Sequence, residues 1–344
     1  MRAAESDLSE CARIIREGSK SFHAASLLLP QDVRVAARAL YAFCRVADDK
    51  VDDGADPSAA LKLLTARLDA AYAGRPWDSP VDRSFAWVTG AYAIPKAVPQ
   101  ALLEGFAWDV AGRRYETFDD LVAYAIRVAG TVGVMMALVM GERRPEVLAR
   151  AMDLGIGMQL TNIARDIGED ARHGRFYVPQ AWLREAGVTE MALASAETAC
   201  PRHKALTRRL LAEAERFYAA GTAGIAFLPA GCRPAIRAAA LIYRDIGRSI
   251  VRNGHDSISR RAYVTSRRKL ALLARASFAH AEQLPAQALA VPSGRFLIEA
   301  VSARPPQQPS HPAMNGGWPW VMNLFLDLES RSVPARDRRR RLRA

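Results

Sequence analysis

Within the segment 32–53, Leu40, Cys44, Ala47 and Val51 recur three and four positions apart, and a second stripe of Tyr41, Arg45, Asp48 and Asp52 runs beside them. That period belongs to a helix with one face in a core and the neighbouring face turned to something polar. The same spacing governs most of the chain. It predicts helices near 5–17, 32–53, 57–73, 80–93, 96–113, 118–140, 145–171, 201–227, 232–252 and 260–281, while no stretch alternates as a strand requires. The expected fold class is all-α. With 344 residues, half of them hydrophobic, the chain can bury a sizeable core.

No Gly/Ser linker or solenoid repeat divides residues 1–285, so a single helical domain is expected there. From Pro285 the texture becomes proline-rich and aperiodic ("VSARPPQQPSHPAMNGGWPW"), which predicts a flexible Pro- and Arg-rich appendage over 286–344. Trp318 and Trp320 fit a membrane surface or packing back onto the domain equally well. The most apolar window, Val128–Met140, is too short to span a bilayer and is bounded by Arg127 and Glu142, so a buried helix is expected.

The formal charge of +12 is carried almost wholly by arginine, and half of it lies in the tail from Arg331 to Ala344. An unstructured basic end and contact with anionic lipid both account for that tail. The other arginines are dispersed and lack an aromatic platform, which argues against nucleic acid. Cys11, Cys44, Cys200 and Cys232 form no C-x-x-C pair, so neither a zinc site nor a disulfide framework is expected, and a reducing cytoplasm fits. Met1–Glu10 holds acidic residues and no apolar run, unlike a secretory signal.

The stretch "DDKVDDG" places Asp48, Asp49, Asp52 and Asp53 in the last turn of a helix that Gly54 should end. Anions are disfavoured there by the partial negative charge of the free carbonyls, at about 0.3–1 kcal/mol each. Asp48 and Asp52 also stack at i, i+4; at roughly 6 Å and an effective dielectric near 20 they repel by about 3 kcal/mol. A cation is required nearby. The pattern recurs in "GMQLTNIARDIGEDARHGRFYVP", where Gln159, Asn162, Asp166 and Asp170 line up beside the apolar Ile156, Leu160, Ile163 and Ile167. If the two acidic faces meet, their carboxylates stay ionised together only around divalent cations. An all-oxygen donor set, with Asn162 as the neutral member, suits Mg2+ or Mn2+ better than zinc. Such an ion keeps positions for water and phosphate oxygens, so a diphosphate ligand is expected.

In these motifs, together with "SKSFHAASLLLP" at 19–30, "RVAGTVGVMM" at 127–136 and "IYRDIGRSIVRNGHDSISRRAYVTSRRKL" at 242–270, the chain resembles the squalene and phytoene synthases over roughly residues 8–283. The resemblance implies a helical isoprenoid synthase-type domain with a central apolar cavity. It implies that Asp48, Asp52, Asn162, Asp166 and Asp170 bind metal, that Ser19, Ser21, Phe22, Gln159 and Tyr243 contact substrate, and that Tyr41, Arg45, Arg165, Arg175 and Tyr177 surround the reacting centre. Plainer roles exist for several: Ser19 and Ser21 as helix caps, Tyr41 as core, Arg45 as partner of Asp48 or Asp49, and Arg165 as partner of Glu169.

By the same resemblance, one prenyl diphosphate ionises to an allylic cation that the double bond of a second attacks. The resulting cyclopropyl diphosphate ionises again, and loss of a proton without hydride leaves a central double bond. The segments "VAGTVGVMM" and "GRFYVP" look most like those of bacterial phytoene synthases, which join two geranylgeranyl diphosphates in carotenoid biosynthesis. No NADPH is then expected. A squalene, dehydrosqualene or hydroxysqualene synthase using farnesyl diphosphate is the alternative, and a non-catalytic assembly factor a remote one, since both aspartate pairs survive. Water would quench such cations, so an apolar chamber is expected, walled by the 130–140 helix. There Gly130 and Gly133 either admit a prenyl chain or allow close helix packing. Greasy substrate and product lead to an expectation of a cytoplasmic protein peripherally bound to membrane; the oligomeric state is open.

Overall fold

Prolines and polar caps set where the helices begin. In the computed structural model, which describes residues 4–52, 56–278 and 291–303, Pro57, Pro80, Pro145 and Pro201 each stand in the first turn of a helix, where no backbone hydrogen bond is lost. Ser19, Asp56, Thr117 and Thr189 cap others through their side-chain oxygens, and Thr117 with Asp120 completes a reciprocal capping box. In chain order the helices are α1 (Glu5–Gly18), α2 (Lys20–Ser26), α3 (Gln31–Asp52), α4 (Pro57–Tyr72), α5 (Pro80–Ala91), α6 (Ala97–Val110), α7 (Phe118–Ala125), α8 (Thr131–Val139), α9 (Pro145–Arg172), α10 (Gln180–Ala186), α11 (Glu190–Ala194), α12 (Pro201–Ala223), α13 (Arg233–Arg252), α14 (Ser266–Phe278) and α15 (Arg295–Ser302). No strand occurs among the described residues. The side chains at 48 and 50–52 lie outside the described residues.

The 28-residue α9 runs through the core, packed along α12 and against α8 and α13. Small residues allow that approach. A Cβ on Gly133 of α8 would overlap the Ala151 carbonyl oxygen of α9, and one on Gly155 of α9 would lie 2.5 Å from the Ala129 carbonyl oxygen. Gly130 likewise faces Met152, so at Gly130 and Gly133 helix packing is the role the structure shows. On the opposite flank Phe43 of α3 stacks on Phe85 of α5 at 3.8 Å between ring centroids. The buried Arg67 of α4 reaches Asp82 of α5 through three hydrogen bonds, Nε to Oδ1 at 2.9 Å and to Oδ2 at 3.1 Å, and Nη2 to Oδ2 at 2.7 Å.

Four differences from the sequence expectations have local causes. The 118–140 helix contains a π-helical turn, Ile126–Gly130, between α7 and α8. Phe118–Val139 is thus one helical run, long and apolar enough to cross a membrane by length and composition, but most of its apolar stretch is buried inside the protein, as in a core helix. The helix expected from 260 starts at Ser266, because the Asp256 carboxylate accepts the N–H groups of Ile258 and Ser259 and turns the chain into a loop laid along α9, where Gly168 N–H donates to the Ser257 carbonyl. Helices α2, α10 and α11 are too short for their periodicity to register. Within the segment expected as an appendage, the described residues 291–303 hold helix that the sequence did not announce: Pro292–Gly294 forms a 3-10 turn, and α15 buries Leu297 and Val301 against α6 and α9. Residues 304–344, including Trp318, Trp320 and the arginine run, lie outside the described residues.

Candidate functional site

The site grows from the C-terminal half of α9. Its stripe of Gln159, Asn162, Asp166 and Asp170 is half-buried, beside a fully packed face. Gly174, at φ 75°, then reverses the chain so that Arg175 and Tyr177 return towards the stripe, the Arg175 N–H donating to the Asp170 carbonyl at 2.9 Å. Burial pushes the Asp170 carboxyl up to about 7; the Asp166 charge adds to the rise, and the Arg175 and Arg165 guanidiniums oppose it. Two carboxylates one turn apart thus do repel, as the spacing required.

Cations answer that charge. Arg165 Nε donates to Asp166 Oδ1 at 2.8 Å, and Arg261, reaching in from the loop before α14, donates Nε to the same oxygen at 3.1 Å and Nη2 to Oδ2 at 3.4 Å. Arg261 also lies 3.2 Å from Glu169. Arg165 therefore takes Asp166 as its hydrogen-bonded partner, not Glu169. Arg261 is a site residue that sequence reasoning missed. It stood inside a quoted motif, but nothing in "SISRRAYV" tells which arginine folds back 95 residues onto α9.

The N-terminal elements close on the same place. Ser19 caps α2, accepting the Phe22 N–H at 3.2 Å, so its capping role is realised; Ser21 is half-buried on the same turn. That turn sets Phe22 between Tyr41 of α3 and Tyr243 of α13, with ring centroids 5.9 and 5.4 Å away. Burial pushes Tyr243 up to about 12, Arg165 opposing and Tyr41 reinforcing. Tyr41, the first member of the α3 acidic stripe, is in this way joined through Phe22 and Tyr243 to Arg165 and Asp166. Gly18 is needed for it: a Cβ there would come within 2.8 Å of the Tyr41 hydroxyl. Arg45, one turn on, chelates Asp49 through Nε at 3.1 Å and Nη2 at 2.5 Å. It also lines a cleft of about 800 Å³ between α1, α3, α4 and the loop before α5, with Arg13, Glu17, Leu63 and Trp77.

Asp48 and Asp52 continue the Tyr41 and Arg45 stripe, but their side chains lie outside the described residues. Among the described residues no three His, Cys, Asp or Glu side chains gather as a metal site. Asp166 and Asp170 supply two of the four expected carboxylates. Tyr177 donates its hydroxyl to Asp109 of α6 at 2.9 Å, and Tyr124 of α7 donates to the other oxygen of that carboxylate at 2.8 Å.

Helices alone, with an acidic stripe near the end of the longest one and arginines and aromatics gathered around it, define an all-helical protein with a charged site set beside an apolar core. A family model described as squalene/phytoene synthase matches residues 15–269, and the chain belongs to that family. The phytoene synthase of Cereibacter sphaeroides is 49% identical over 280 residues, 78% of this chain and 79% of its own. That of Rhodobacter capsulatus is 50% identical over 274 residues, 79% and 81% of the two chains. Among solved structures, a dehydrosqualene synthase in complex with ligand superposes with a TM-score of 0.75 at 32% identity, over 79% of this chain and 95% of its own.

Proposed function

We propose that the chain is a phytoene synthase, a prenyl transferase that joins two geranylgeranyl diphosphates head to head, through the cyclopropyl prephytoene diphosphate, to phytoene with release of diphosphate. The observation that carries this reading is the identity of about one half, over nearly four fifths of the chain, to two proteins of that name. The family as a whole acts on prenyl diphosphates.

Asp48, Asp52, Asn162, Asp166 and Asp170 would hold Mg2+ or Mn2+. The donor set fits a hard cation, being all oxygen, and the stripe already draws two guanidiniums onto Asp166 while Asp170 is pushed up towards neutrality. When bound, the metal neutralises the leaving diphosphate and favours ionisation of the allylic carbon–oxygen bond. Arg165, Arg175, Arg261 and the α2 turn supply further positive charge and N–H groups for the same anion. Phe22, Tyr41 and Tyr243 form the aromatic floor between that charge and the core, where ring faces suit a cation and exclude water.

Incubation of purified protein with geranylgeranyl diphosphate and Mg2+, with and without NADPH, followed by chromatography of the organic extract, tests the reading. A conjugated central triene formed equally without NADPH is expected. Turnover of farnesyl diphosphate alone, or a product that requires NADPH, would move the chain to a dehydrosqualene or squalene synthase, the former being the activity named for the superposed structure. The same reading places the protein in the cytoplasm at the membrane surface, because the prenyl chains and the product partition into lipid.

A further inference from the structure

The C-terminal half of α13 and the segment that leads into α14 carry positive charge that the fold holds at the surface. Residues 245–269 contain seven arginines and lysines against two acids, Asp245 and Asp256, a net charge of +5 with His255 neutral. Asp245 is fully buried, and three guanidiniums converge on it. Arg268 of α14 donates Nη2 to Oδ1 at 2.9 Å and Nε to Oδ2 at 3.2 Å, while Arg248 and Arg252, one and two turns on along α13, stand 3.9 and 4.0 Å away. One carboxylate cannot neutralise three guanidiniums. Their side chains are 47 to 60% exposed, so an excess of two charges is pinned in contact with solvent. Asp256 offsets little of it: its carboxylate accepts the N–H groups of Ile258 and Ser259, and Lys204 of α12 already acts on it, as Arg208 does on His255.

Apolar side chains stand in the same field. Between 261 and 265 the chain alternates, with Ala262 and Val264 buried and Arg261, Tyr263 and Thr265 turned outward. Tyr263 is 74% exposed, and Val251 on the last turn of α13 is 50% exposed. Arg261, two residues before Tyr263, reaches Asp166 and Glu169, so this surface borders the acidic stripe of α9. Guanidiniums spread by a buried acid beside an exposed phenol suit a layer with anionic phosphates outside and hydrocarbon beneath.

We propose that this surface docks the helical domain on an anionic phospholipid membrane, with Arg248, Arg252 and Arg268 against headgroup phosphates and Tyr263 entering the interface. The purpose of the docking rests on the prenyl transfer reading: a prenyl diphosphate whose chain lies in the bilayer presents its charged end beside the Asp166–Asp170 stripe. The docking itself is read without substrate.

The test is flotation of the full chain with vesicles of phosphatidylcholine alone and of phosphatidylcholine mixed with phosphatidylglycerol. The wild type should bind the mixed vesicles only, with a yield that falls as salt rises. Arg248→Gln combined with Arg252→Gln should lower the partition about 25-fold, about fivefold for each charge removed. The lysine pair Arg248→Lys and Arg252→Lys, which keeps the charge, should bind as the wild type does. The same change of net charge placed on α1 and α10, as Arg13→Gln with Arg184→Gln, should have no effect. Tyr263→Ser should weaken binding at low and high salt alike, because its contribution is burial. In detergent micelles all these variants should turn over geranylgeranyl diphosphate at the wild-type kcat. Wild-type partition in the Arg248/Arg252 glutamine variant, an equal loss in the α1/α10 variant or in the lysine pair, or equally strong binding to neutral vesicles would overturn the proposal. So would loss of binding to a short single-stranded DNA with vesicle binding kept, which would assign the surface to nucleic acid. A wild type that binds the mixed vesicles yet makes no product would remove the prenyl transfer reading and leave the docking surface supported.

Discussion

Asp166 is gripped on both oxygens by guanidiniums from two parts of the chain, and Asp170, one turn on, is pushed up by burial and by that neighbour. Such an arrangement is costly unless the site handles a strongly charged ligand, since each buried carboxylate would be cheaper replaced by an amide. Asp166→Asn should therefore leave the helical far-ultraviolet circular dichroism intact while lowering kcat about 100-fold or more, as expected for loss of a charge that acts in the transition state. Retained turnover in that variant would remove Asp166 from the site. Arg45 shows the limit of single-residue inference: its bidentate partner in the structure is Asp49, which lies off the Tyr41–Asp48–Asp52 stripe.

Among the elements, the contact of α8 with α9 is the most demanding, because both sides use glycine at the crossing. Gly133→Ala would drive a methyl group into the Ala151 carbonyl oxygen, and backbone cannot swing aside as a flexible side chain can. A loss of about 1–3 kcal/mol is expected, read as a lower urea midpoint at unchanged slope. The paired Gly141→Ala, at φ 83° with open space around it, would report backbone strain alone. If Gly133→Ala were no more destabilising than an exposed helix substitution, the close crossing would be wrong. The π-helical turn at Ile126–Gly130 lies in this same run, so the register of α8 against α9 depends on it.

Over the whole molecule, the unexpected element is α15, which seals α6 and α9 with Leu297 and Val301. Burying such side chains contributes about 1.5–3 kcal/mol each. Chains ending at 303 and at 290 should consequently differ in melting temperature by several degrees, the shorter melting lower. Comparing the full chain with the one ending at 303 by flotation on anionic vesicles addresses the membrane: if the arginine-rich 331–344 segment carries the attachment, only the full chain floats, with a salt-sensitive yield. Equal flotation would move the attachment to the helical domain.

The helix class, most of the long helices and the α9 acidic stripe were legible in the sequence, because a three-to-four-residue period and an i, i+4 carboxylate pair are local facts that one helix expresses by itself. What covers a stripe is not local. Arg261 meets Asp166 across 95 residues, Phe22 meets Tyr243 across 221, and Asp109 draws one tyrosine from α7 and another from the turn after α9. The choice between prenyl passage and helix packing at Gly133 was likewise settled only by the arrival of Ala151. Residue type and period determine which face of a helix is polar; only the packing of distant segments decides which charge or ring comes to stand opposite it.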